Sequence, residues 1–272
     1  IMAPFDQREL EGIDPAKKQL ASQARADINK TMLRRKADGK LKMSICAYPT
    51  EALAEEADMS LAEYEDFVYS ACYLDAPDPV EKWNDVREYQ ENICRHLDKT
   101  GKIRYLSGDV DIEFSTKDRT WINSDGTTNM PSGEVFTTPV EDSVNGKVRF
   151  SYPSIFMGQQ VEDITLEVKN GRVVNWSAAK GKELLDKIFD IPGARNFGEA
   201  AVGTNERINK FTSNILFDEK IGGTIHMAIG AAIPETGGKN ESAVHWDMIA
   251  DMTGGAIYAD GEKVYEKGKF II

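Results

Sequence analysis

The spacing of apolar residues changes near residue 100. Before that point, apolar positions recur at helical spacing behind residues that cap helices well. Asp14 and Pro15 open a run to about Arg35, Thr50 stands before Glu51 to Met59, Ser60 stands before Leu61 to Cys72, and Asp78-Pro79 opens a helix through Trp83, Val86 and Ile93. Each cap offers a side-chain oxygen to the free N–H groups of a first turn. Beyond Lys102 the repeat shortens to two: Val110 to Phe114 and Val148 to Tyr152 alternate apolar with polar residues, which predicts strands with one buried face. Asp163 to Lys169 and Arg172 to Trp176 flank Asn170-Gly171, a pair that accepts the left-handed backbone of a tight hairpin. A short helix over Gly181 to Phe189 follows. Strand-like pieces lie around Gly198 to Val202 and Gly222 to Gly230, and a last hairpin from Ala256 to Ile272 turns at Asp260-Gly261. The expected class is α+β: an N-terminal helical segment over residues 1–100, then a mainly antiparallel β-sheet region with a few helices over 101–272.

Composition narrows the functional classes. The 272 residues, 41% of them hydrophobic, suffice for a substantial core. Against 33 Lys and Arg stand 45 Asp and Glu, and a formal charge of -12 repels phosphate backbones and anionic lipid. The most basic stretch, Lys30 to Lys42, is interrupted by Asp38 and Gly39 and reads as the solvated end of a helix. No nucleic-acid or membrane partner is expected. No apolar run approaches the roughly 20 residues of a membrane span, and nothing resembles a signal peptide. Three cysteines, Cys46, Cys72 and Cys94, form no Cys-x-x-Cys pair, so neither a disulfide scaffold nor a structural zinc is expected, and a cytoplasmic setting is. All three read as small buried residues.

Candidate chemistry gathers in the second half. His226 lies in the apolar run Gly222-Gly-Thr-Ile-His-Met-Ala-Ile-Gly230, where an imidazole is either satisfied by a backbone carbonyl or bound to a metal. His245 and Asp247, two residues apart in Val244-His-Trp-Asp-Met248, share a face if the segment is a strand, and Trp246 then faces the core. Glu134 and Glu199 are lone acids among small and apolar neighbours, where an inward carboxylate is costly without a cation. Two imidazoles and three carboxylates suit Zn, Co or Mn better than Ca. Carboxylates in excess favour two cations about 3.5 to 4 Å apart, an arrangement that activates water for amide hydrolysis. A Ser-His-Asp hydrolase is a poor fit, since no Gly-x-Ser-x-Gly elbow exists.

The stretches Asn129-Met-Pro-Ser-Gly-Glu-Val-Phe-Thr-Thr-Pro139, Gly198-Glu199, Gly203-Thr-Asn205, Phe217-Asp-Glu-Lys-Ile-Gly-Gly-Thr-Ile-His226 and His245-Trp-Asp247 resemble the M29 (thermophilic aminopeptidase, aminopeptidase T/S) family. Tyr48-Pro-Thr50, the helix start at Met59-Ser-Leu and Val110-Asp-Ile112 extend the match along nearly the whole chain. The resemblance implies a two-metal aminopeptidase acting on peptides with a free N-terminus. It implies Glu134, Glu199, His226, His245 and Asp247 as metal ligands, Glu199 or Glu134 as general base, and a homodimer enclosing the site. Residues 1–100 and 101–272 would together form one catalytic domain, without the upstream α/β domain of such enzymes. One departure stands out: the family's tyrosine, seven residues after the first histidine and before a proline, is here Ile233 followed by Pro234. That departure keeps open a non-catalytic oligomerisation or peptide-binding domain, and a two-metal hydrolase of another amide remains a further alternative. Among the remaining polar residues, Asp111 is expected on a solvent face, Glu206 and Arg207 as a helix-start pair, and Glu219 either lining the site or anchoring its loop.

Overall fold

The computed structural model describes residues 38–272 without a break, with scattered positions from 13 to 35. The helix expected from Asp14 to Arg35 lies largely outside the described residues. Three helices lead the rest: α1 (Glu51–Glu56), α2 (Leu61–Ala71) and α3 (Pro79–Leu97). Their caps are the expected ones. Thr50 Oγ1 accepts from Leu53 N at 3.3 Å, Ser60 and Glu63 cap each other reciprocally, and Asp78 Oδ1 accepts from Val80 N and Glu81 N at 2.9 and 3.0 Å. α1 ends before the expected Met59 because Asp58 turns left-handed at φ 53° and Met59 N bonds back to Ala54 O at 2.9 Å.

The strands in chain order are β1 (Ile45–Cys46), β2 (Lys102–Ser107), β3 (Val110–Ser115), β4 (Ile122–Ser124), β5 (Asn129–Met130), β6 (Glu134–Thr137), β7 (Asn145–Phe150), β8 (Ser154–Phe156), β9 (Gln159–Val161), β10 (Ile164–Lys169), β11 (Arg172–Ser177), β12 (Phe197–Gly203), β13 (Thr224–Gly230), β14 (His245–Asp251), β15 (Ala256–Ala259), β16 (Glu262–Glu266) and β17 (Lys269–Phe270). Helix α4 (Lys182–Ile188) separates β11 from β12, and α5 (Ile215–Asp218) separates β12 from β13. Both expected hairpins form. Asn170 and Gly171, at φ 50° and 74°, join β10 to β11, and Asp260 and Gly261, at 49° and 88°, join β15 to β16.

The order β11-β10-β7-β3-β2-β15-β16-β17 makes an eight-stranded sheet, and β14-β13-β12-β6-β4 a five-stranded one. All pairs in these two sheets are antiparallel; the short β1–β5 pair is parallel. The class is α+β, as expected. Ile103, Tyr105, Ile112 and Val148 of the large sheet share one core with Val135, Val202, Ile225, Met227 and Met248 of the small one, and α3 closes it with Ile93 and Leu97. A second cluster joins Leu53, Tyr64 and Val68 of the helices to Phe217 and Ile221. It lies against the loop that enters β13. Cys72 and Cys94 are buried, but Cys46 is exposed, contrary to expectation, because both residues of β1 face solvent.

Candidate metal centre

Alternation along the five-stranded sheet gives its second face to polar chemistry. Ile225, Met227 and Ile229 of β13 enter the core, so Thr224, His226 and Ala228 point the other way. On β14, Trp246 and Met248 face the core, leaving His245 and Asp247 beside that row. Strict alternation would put Glu199 on the same face as Phe197, inside the core. A bulge at Gly198 moves it across. Only glycine fits there, since a Cβ would meet Ala231 O at 2.0 Å.

Small residues make the room. Ala201 pairs with His226, Ala228 lies between Glu199 and Asp247, Gly230 pairs with His245, and Gly203 with Glu134. A Cβ at Gly203 would stand 2.2 Å from Ile221 O, so glycine also admits the loop before β13. Asn205 clasps that loop. Its side-chain amide donates to Ala71 O and Ser132 O at 3.0 and 2.8 Å, and its backbone N–H to Lys220 O at 3.1 Å.

The five expected residues converge. Glu199 spans two imidazoles: Oε1 is 3.4 Å from His226 Nε2, and Oε2 is 3.2 Å from His245 Nε2. Glu134 Oε2 stands 3.3 Å from His226 Nε2, and Asp247 Oδ1 3.6 Å from His245 Nε2. Two donor groups result, Glu134–Glu199–His226 and Glu199–His245–Asp247, with the donor atoms of each within 4.8 Å of one another. They share one carboxylate. His245 Nδ1 donates to Ala231 O at 2.7 Å, which turns Nε2 toward the carboxylates.

Glu219 and Lys220 complete the cluster. Glu219 forms a third group with His226 and Asp247, which decides its open alternatives in favour of lining the site. Lys220 has a side chain with no exposure, lies 3.5 Å from Glu134 Oε1 and is bonded to Glu219. The place of Lys220 is not evident in Phe217-Asp-Glu-Lys, which reads as a turn; the only signal is the apolar Phe217 and Ile221 around it.

Electrostatics here reflect charge crowding in a dry place. Burial opposes charge on His226, yet Glu199, Glu134 and Asp247 outweigh it and push the imidazole up to about 10. His245, against the same opposition, is pushed up to about 11 by Asp247 and Glu199. Glu199 is buried too, but the two imidazoles hold it down to about 2. Burial, helped by Glu134 and Asp247 and opposed by Lys220, raises Glu219 to about 8. Glu134 and Glu219 outweigh burial at Lys220 and hold its ammonium charged.

This donor set fits divalent cations. It offers only imidazole nitrogen and carboxylate oxygen, the ligands preferred by zinc, cobalt and manganese. Glu134 Oε2, His226 Nε2 and Asp247 Oδ1 are buried without a hydrogen-bond partner, a costly state for polar atoms that a cation relieves.

The other residues singled out from the sequence lie elsewhere. Asp111 pairs with Arg104 at 2.8 Å on the exposed face of the large sheet, and Glu206 with Lys269 at 2.7 Å. Arg207 pairs with Asp75 at 2.8 Å and stacks over Tyr73. Trp246 is buried against Phe156, as expected. Burial raises both Cys72 and Cys94 to about 12, which leaves them poor nucleophiles. Ile233 caps the short 3₁₀ turn Pro234–Thr236.

A sequence profile of the thermophilic metalloprotease (M29) family matches residues 1–270. Aminopeptidase 2 of Geobacillus stearothermophilus is 29% identical over 271 residues, 84% of this chain and 64% of that protein. The chain thus spans less than two thirds of the length of this relative. The solved wild-type AmpT of Thermus thermophilus has the same fold, with a TM-score of 0.86 at 23% identity over 100% of this chain and 75% of that one. A 2,5-dihydroxypyridine dioxygenase of Pseudomonas putida KT2440 is similar with a TM-score of 0.58 at 19% identity, over 69% of this chain and 59% of that one. A fold shared by proteins of such different names does not choose the reaction; the site must.

Proposed function

This chain belongs to the thermophilic metalloprotease family (M29), and from that membership and its site we propose that it is a metal-dependent aminopeptidase releasing N-terminal amino acids from peptides. One observation carries the two-metal form of this reading: Glu199 turns one oxygen to each of two imidazoles, and each imidazole has a further carboxylate at its side. Glu134, Glu199 and His226 would hold one ion, and Glu199, His245 and Asp247 the other. Zinc, cobalt and manganese are the metals of choice. Divalent cations held there supply the Lewis acidity that polarises an amide carbonyl and lowers the pKa of a water.

The protein's own groups do the rest. The carboxylates of Glu134, Glu199 and Asp247 surround the site and attract a substrate ammonium. Glu199 and Glu134 are the candidates for general base, and Glu219, joined to Glu134 through Lys220, is a further group for proton transfer. Glu219, raised by burial to about 8 in the metal-free centre, is placed beside Lys220 and Glu134 to pass a proton to the departing amine. A cytoplasmic setting and a homodimeric state belong to the same proposal. Among the described residues no helix is long and apolar enough to cross a membrane.

The test is hydrolysis of aminoacyl amides and short peptides by the chain loaded with cobalt or zinc, with N-acetylated versions as controls. Cleavage only of free amino ends is expected. Metal bound without turnover would sink the peptidase reading, and absence of metal binding would favour a non-catalytic binding domain.

A further inference from the structure

A cavity of about 490 Å³ lies between α3, the β16–β17 hairpin and the loops that carry Gly133, Asn205 and Gly222, a size suited to a small molecule. None of the five donor residues of the metal centre lines it. We infer that this cavity is a separate ligand site, for a small aromatic carboxylate, whose occupation tightens metal binding by bracing the backbone that holds Glu134 and Lys220. Binding there requires no peptidase activity.

The walls supply ring surface and hydrogen-bond donors together. Trp83 and Tyr89 of α3 and Phe270 of β17 present aromatic surface, and a planar ring buried against them gains in proportion to the area covered. Tyr265 lines the cavity at 1% exposure, and its hydroxyl is buried without a hydrogen-bond partner. Such a group is costly until an acceptor meets it. Thr204 Oγ1, also on the wall, accepts from Gln90 Nε2 at 3.0 Å, which leaves its own O–H to donate. A carboxylate, which only accepts, answers both hydroxyls.

Charge selects the anion. The lining holds Lys82, Arg207 and Lys269 against Asp85 and Glu206, a positive balance in a chain of formal charge -12. Lys82–Asp85 and Lys269–Glu206 are exposed pairs, at 3.4 and 2.7 Å, and such pairs are weak enough to exchange for a ligand. Coupling to the centre runs through the wall itself. Gly133 directly precedes Glu134, and its carbonyl accepts from Thr204 N at 2.8 Å. Asn205 N donates to Lys220 O at 3.1 Å, and Gly222 N to Asn205 O at 3.0 Å. A ligand seated against Gly133, Asn205 and Gly222 therefore restrains, from behind, the segments that aim Glu134 and Lys220.

The test is calorimetric titration of cinnamate, neutral cinnamamide and acetate into the chain in chelator. Cinnamate should bind at least about fivefold tighter than cinnamamide, because its charged head makes charge-assisted hydrogen bonds. Acetate, for want of a ring, should bind more weakly than cinnamate. K82E and K269E, at exposed positions, and Y265F, which removes only an unpartnered hydroxyl, should each weaken cinnamate while leaving guanidinium unfolding nearly unchanged. At a fixed cinnamate concentration that saturates the parent, zinc should bind about fivefold tighter or more, and the three variants should lose that gain. Cinnamamide or acetate equal to cinnamate, binding indifferent to all three variants, or an unchanged zinc affinity would overturn the inference. A zinc gain that survives in the variants would also overturn it, since the carboxylate would then sit on the ion itself.

Discussion

Replacing Lys220 with methionine removes one charge and little volume from the centre. The ammonium has no exposure, lies 3.5 Å from Glu134 and is bonded to Glu219, so it is the neutralising cation for buried Glu134. At an effective dielectric near 20, a pair at that separation is worth about 5 kcal/mol of Coulomb energy. Part of this offsets the desolvation of the ions, and breaking a buried pair by deleting one partner costs about 3 to 5 kcal/mol in practice. Glu219, raised to about 8, is already largely protonated at neutral pH. The remaining charge to relieve is Glu134. K220M should therefore lose about 3 kcal/mol or more at neutral pH in chelator, measured by guanidinium unfolding. Saturating zinc or cobalt should restore a good part of that loss, because a divalent ion beside Glu134 replaces the missing charge and removal of the lysine lifts its repulsion of the metal. Were K220M as stable as the parent in chelator at pH 7, or were it to bind metal more weakly, the neutralising role would be wrong.

Glu199→Gln should lower bound metal to one ion per chain or fewer by elemental analysis and cut kcat/KM by about 100-fold or more, since one oxygen is needed at each imidazole; two retained ions would contradict the shared-carboxylate reading. In the metal-free chain, the raised imidazoles contribute stability that is full below about 6.5 and lost as pH climbs through about 10 and 11, while depressed Glu199 contributes stability that is full above 4.5 and lost toward about 2. The cluster's contribution should thus be greatest between about pH 4.5 and 6.5, and zinc uptake at pH 7 should release protons, visible as a buffer-dependent binding heat; uptake without proton release would refute the raised imidazoles. Asn205→Ala should cost about 2 to 4 kcal/mol in unfolding experiments, because Ala71 O and Ser132 O lose their donor in a buried place; a neutral effect would show that the clasp is redundant.

Much of the architecture is local in origin and could be read from the chain. Thr50, Ser60 and Asp78 cap their helices through atoms two or three residues away, and Asn170-Gly171 and Asp260-Gly261 turn their hairpins by backbone preference alone. Period two correctly placed His245 and Asp247 on one face with Trp246 on the other, and the family resemblance brought Glu134, Glu199 and His226 to them. That Cys46 would be exposed was not legible, because β1 pairs with β5, some 80 residues further along, and leaves its side chains in solvent.

Short-range pattern determined the elements and the residue types available for a metal centre. Tertiary structure decided how those residues face one another. The bulge at Gly198 that carries Glu199 across the sheet exists only once β13 and Ala231 lie alongside. Lys220, charged and preceded by two acids in sequence, becomes fully buried only when Asn205, Gly203 and the helices close over its loop. The physical reason is common to both cases: burial and close approach depend on surfaces contributed by distant segments, and a residue's own neighbours in sequence carry no record of them.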